Sequence, residues 1–249
     1  MRWGGDPREI VPQASGELVA LAGEALKSLV LYGSAAGAGF RPERSDVNFA
    51  VVLDPLQFVD LQRIAQWWAR WRRHRVAAPL VLSRAELEGS RDVYPLELLD
   101  IRARHRTLAG AELFDGLAVS AEAVRMECER EAKGKLFRLR ALYLELAGST
   151  RDLHELMLDS RKTFLHVMRG LLYLRNQPWT VHGTEIVHAF EREYACALPV
   201  LAALGEPDVT GAGAERFGAY LTEIETLVMI TDREASPPTA VSPAATRQA

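Results

Sequence analysis

Two different rhythms of apolar and polar positions divide the chain. In the first half, stretches with helical spacing alternate with short apolar runs. Leu18, Leu21, Ala22 and Ala25 recur at the spacing of an amphipathic helix over residues 15–27. Ser28 to Tyr32 then reads as a buried strand that stops at Gly33-Ser34, followed by a loop of small residues through Gly37 and Gly39. Val47 to Leu53 is an almost unbroken apolar run, the pattern of a strand covered on both faces. Asp54-Pro55 ends it and opens a helix over 56–75. Residues 79–82 predict a third strand. Ser83 and Glu86 have the spacing of a capping box. Leu96 to Ile101, introduced by Pro95, predicts a fourth strand.

From residue 120 to 233 the spacing is helical almost throughout, with helices expected at 120–147, 151–176, 183–196 and 213–232. Gly148-Ser149-Thr150 and the segments around Pro178 and Gly205 to Gly213 separate them. The expected architecture is α+β: a small mixed-sheet domain over 1–115, a helical bundle over 116–234, and a disordered tail over 235–249.

Composition narrows the function. The formal net charge is −3, which argues against non-specific nucleic-acid binding, a task that needs a strong basic excess. The two cysteines, Cys128 and Cys196, lie far apart in helical segments, so a disulfide scaffold is not expected. No apolar run approaches the length of a membrane span, and the amino terminus lacks a signal core. A cytoplasmic protein with no membrane partner follows as the expectation. In the helix at 56–75 the arginines interleave with Trp67, Trp68 and Trp71. A stripe of Leu61, Ile64, Ala65 and Trp68 would bury one face and leave the arginines in water.

Candidate chemistry concentrates between Gly33 and Phe49. A strand runs into a Gly-Ser turn, and about twelve residues later a second strand opens with Asp46 and Asn48 at alternate positions. Alternate strand residues share a face, so the two side chains project together. Glycines let the backbone approach a phosphate closely, and Ser34 adds a hydroxyl.

These residues resemble the signature of the polymerase-β-like nucleotidyltransferases: Gly-Ser, a glycine-containing loop, then Ser-Asp-x-Asp at the head of an apolar strand. With a helical second half, the layout is most similar to bacterial aminoglycoside adenylyltransferases. The resemblance spans most of residues 25–235, but its specific motif is only Gly33 to Phe49. It implies transfer of a nucleoside monophosphate from a nucleoside triphosphate, ATP by preference, to a hydroxyl of an unknown small molecule, with Mg²⁺ as cofactor. Gly33 and Ser34 match the phosphate turn, Asp46 matches the first metal ligand, and Asn48 stands where the second Asp belongs. The third carboxylate, on a later strand, is expected from the 96–101 stretch: Glu97 as metal ligand and general base, with Asp100 as the alternative, since on a strand the two have opposite parity. Lys135 and Arg138, beside Lys133 and Arg140, are candidate cations for the triphosphate in a cleft between the domains. Surface pairing with Glu127, Glu129 and Glu131 competes with that role.

Asn48 bears on whether the reaction runs at all. An amide in place of a carboxylate removes one negative charge at ligand distance, and hard Mg²⁺ prefers carboxylate and water. Losing such an electrostatic element typically costs ~10²–10³ in rate. Two readings remain open: a nucleotidyltransferase attenuated by Asn48, and a catalytically inactive nucleotide-binding or interaction module.

Overall fold

The computed structural model describes residues 6–37, 40, 42, 45–177, 179, 183–204 and 213–234. The expected tail and Gly39 lie outside these residues. Two compact units meet at Val119/Ser120.

The first unit is built on a four-stranded sheet in the order β3-β2-β1-β4. The strands are β1 (Leu26–Tyr32), β2 (Asn48–Leu53), β3 (Leu80–Ser83) and β4 (His105–Gly110). β1 runs antiparallel to both β2 and β4, and β2 parallel to β3, so the sheet is mixed. Alternation along the central strands splits the core in two. Leu29, Leu31, Phe49, Val51 and Leu53 face helices α1 (Val11–Ala22) and α2 (Phe58–Trp71), with Trp67 fully buried among them. Val30, Ala50 and Val52 face the opposite side, against Leu87 of α3 (Arg84–Gly89) and Leu98 and Ile101 of α4 (Pro95–Ala103).

The Ser83–Glu86 capping box forms as its spacing predicts. The Ser83 hydroxyl accepts from the Glu86 amide at 3.1 Å, and Glu86 accepts from the Ser83 amide at 2.7 Å. The buried stripe of α2 is rotated from the expected one. It consists of Asp60, Ile64, Trp67 and Trp71, while Leu61 is exposed. Indole donors set this rotation: Trp67 Nε1 donates to the Ala14 carbonyl at 3.1 Å and Trp71 Nε1 to Glu17 at 3.0 Å. The tryptophans are therefore packing and anchoring groups of the first unit rather than a stacking surface.

The expected strand over 96–101 is α4 instead. Pro95 occupies the first helical turn, where a missing N–H costs nothing. Leu96, Leu98, Leu99 and Ile101 are all buried, and a short helix covered on most sides carries the same continuous apolar signal as a buried strand. The fourth strand is β4, at the sheet edge, where only one side needs to be apolar.

The second unit is helical: α5 (Ala121–Leu146), α6 (Thr150–Leu174), α7 (Gly183–Tyr194), α8 (Pro199–Ala203) and α9 (Ala214–Arg233). α5 packs along α6 and α9. Ser160 of α6 and Tyr220 of α9 share a buried hydrogen bond of 2.7 Å. Glu223 of α9 accepts from the amides of Val200 and Leu201 at 2.8 and 2.9 Å, satisfying the first turn of α8 across the bundle. Cys128 is buried and Cys196 half-buried, and both are free thiols. No helix among the described residues is long and apolar enough to cross a membrane.

Candidate functional site

The turn after β1 and the head of β2 meet. Register places Tyr32 opposite Asn48, and on its other side Tyr32 lies opposite His105 of β4. Directly opposed residues project to the same face. Asn48, Tyr32 and His105 thus form a row across one end of the sheet, on the side that α4 covers.

Gly33 follows Tyr32 at φ +73, a backbone region that favours glycine. Its amide donates to the Arg104 carbonyl at 3.0 Å, and a tight helical turn, Gly33–Ala36, carries Ser34 and closes when the Gly37 amide donates to the Ser34 carbonyl at 3.3 Å. A Cβ on Gly33 would sit 3.3 Å from Asn48 Nδ2, so the glycine is what lets this amide lie against the turn.

Asp46 and Asn48 behave differently. Asn48 Nδ2 lies 3.4 Å from the Asp46 carbonyl as donor. The Asp46 carboxylate, 56% exposed, receives Nε of Arg75 at 3.3 Å. Arg75 also donates from Nη1 to the Pro42 carbonyl at 2.6 Å. Its backbone is left-handed (φ 64), and its carbonyl accepts from the Val47 amide at 2.9 Å, one residue from Asp46. Arg75 gave no signal in the sequence, where it was one of several arginines ending α2.

Glu97 and Asp100 sit on α4 rather than on a strand. Three residues apart on a helix, they share a face, so the parity that would set them against each other on a strand does not apply. Both bear electrostatically on Tyr32. Burial pushes the Tyr32 phenol above its ordinary value, and the charges of Asp100 and Glu97 push it the same way. Neither later strand bears a carboxylate: β3 reads Leu-Val-Leu-Ser and β4 His-Arg-Thr-Leu-Ala-Gly.

Among the described residues, the group of three potential metal-ligating side chains whose ligand atoms lie within 4.8 Å of one another is His105, Glu112 and Asp115, not one built on Asp46. There the imidazole bridges the Ile101 carbonyl (3.0 Å) and Glu112 (2.9 Å). Glu112 also accepts from the Thr107 hydroxyl and from the amides of Phe114 (2.8 Å) and Asp115 (3.2 Å). Its oxygens are committed to holding the segment after β4. Burial alone would raise the Glu112 carboxyl, but the hydrogen bonds from Thr107, the Phe114 amide, His105 and the Asp115 amide outweigh it and bring it down to about 2.

A Mg²⁺ ion does not fit the donors at the head of β2. One carboxylate faces a guanidinium, and its neighbour is a neutral amide, so no net negative charge remains to offset a dication.

In the second unit, Lys135 and Arg138 lie three residues apart on α5. Lys133 is held by Glu129 (2.6 Å) and Asp232 (2.5 Å), and Arg140 by Glu225 (2.7 Å). Neither Lys135 nor Arg138 is in an ion pair among the described residues.

The first unit is a mixed four-stranded sheet with a glycine turn after its central strand β1, and the second is a helical bundle. Among solved structures, the chain is similar to spectinomycin adenyltransferase AAD(9) from Enterococcus faecialis, solved with ATP and spectinomycin. The match has a TM-score of 0.55 and 14% identity, and covers 89% of this chain and 98% of that one. No family model matches the sequence, and no curated protein matches it.

Proposed function

We propose that the chain is a nucleoside-triphosphate-binding protein of the nucleotidyltransferase type whose transfer chemistry has been lost. The observation that carries this reading is the contact of the Gly33 turn with Asn48. A glycine at positive φ followed by Ser34 has the chemistry of a phosphate turn, while the position that the resemblance gives to the second acidic group holds an amide. ATP is the nucleotide proposed, since AAD(9) was solved with it.

A second reading keeps transfer to a small-molecule hydroxyl at a slowed rate, with Asp46 and Glu97 as its catalytic groups. The negative charge that Glu97 and Asp100 exert on Tyr32 favours it, since Tyr32 immediately precedes the Gly33 turn.

Pyrophosphate release from ATP, measured with wild type and Asn48→Asp in the presence of candidate aminoglycoside acceptors, separates the two. With no carboxylate on β3 or β4, one restored acid does not rebuild the site, and both proteins stay at background. Turnover by wild type above background establishes the slowed transferase instead, whereas a rise in the variant alone shows that Asn48 is what silenced the site.

A further inference from the structure

The guanidinium of Arg75 faces the Asp46 carboxylate, the side chain that the resemblance makes the first metal ligand. It is held from three sides. Its backbone closes the tight turn after α2, with its amide donating to the Arg72 carbonyl at 3.2 Å, and its own carbonyl accepts from Val47. Its side chain ties Pro42 to Asp46. It is only 25% exposed, while the carboxylate it meets is 56% exposed. These two bonds use Nε and Nη1, and Nη2 has no partner among the described residues. A guanidinium offers five N–H donors in a planar fork suited to phosphate oxygens.

We infer that Arg75 is the fixed cation of this site and that the chain binds the polyphosphate of a nucleotide without a divalent metal, Asp46 serving to orient the guanidinium. This rests on the nucleotide-binding reading above. The charges at the head of β2 agree with it: Asp46 and Arg75 cancel and Asn48 adds none, so these three side chains offer a dication no net negative charge. A polyanion gains a charge-assisted contact from the outer edge of the guanidinium.

Calorimetric titration with ATP, in Mg²⁺ and in EDTA, tests this on the full chain with Arg75→Gln, Arg75→Lys and Asp46→Asn. The inference predicts wild-type affinity within about twofold in the two buffers, and a loss of roughly ten- to a hundredfold in Arg75→Gln. Arg75→Lys should keep charge but not the fork, and fall between them. Asp46→Asn is the decisive variant, because it leaves the fold's other contacts in place. It frees the guanidinium and keeps or tightens ATP binding, whereas a metal-ligating Asp46 requires that binding be lost. ATP binding that needs Mg²⁺ and disappears in Asp46→Asn overturns the inference while leaving nucleotide binding standing. No ATP binding in either buffer overturns both.

Discussion

Single glycines show where the backbone of the first unit is committed. Gly110 ends β4 at φ +78, and a Cβ there would lie 2.3 Å from the Lys27 carbonyl oxygen. Gly110→Ala should cost about 2 kcal/mol or more, since backbone atoms must move and the left-handed conformation is strained. Gly16, by contrast, is exposed within α1 and has nothing within 4 Å of such a Cβ. Gly16→Ala should stabilise by about 0.5–1 kcal/mol through helix propensity. Urea unfolding of both variants checks the pair, and a neutral Gly110→Ala would contradict the packing at this strand end. The glycine turn after β1 and its meeting with the head of β2 were legible from sequence because turn chemistry and strand patterns are local rules. Arg75 was not, because its partner lies twenty-nine positions away and nothing in the run of arginines ending α2 separates it from solvated neighbours.

Among the elements, β4 and the segment after it form a small unit joined by one carboxylate. Glu112 sits at about 2 in the folded chain against 4.5 for the unperturbed group. A depressed carboxyl contributes stability above its unfolded value and loses it as pH falls through the folded one. The contribution is therefore complete above pH 4.5 and fades towards pH 2. Glu112→Gln should flatten that part of the acid limb in urea unfolding measured across this range. An unchanged limb would show that the Thr107, His105 and backbone contacts carry no net energy. This corner also explains what the sequence hid. β4 is an edge strand with half-exposed positions, and its pattern is too polar to stand out. α4 is a nine-residue helix with five buried residues, and its pattern is too apolar to be told from a strand. The error moved Glu97 and Asp100 from opposite faces of a strand to one face of a helix.

The whole molecule follows its two rhythms. Strand and helix patterns alternate to Val119 and helices alone follow, because a sheet covered on both sides and a bundle impose different periods on their sequences. Fold was readable at that scale; catalytic competence was not, because it depends on a few charges at the head of β2. The likeness to AAD(9) at 14% identity speaks to the fold. The most direct test of the account is residue-resolved: amide chemical shifts of the labelled protein during titration with ATP. The account predicts saturable shifts centred on Gly33, Ser34, Ala35 and Asn48, with the Arg75 side-chain resonance moving alongside. Shifts centred away from the Gly33 turn, or none at all, would contradict it.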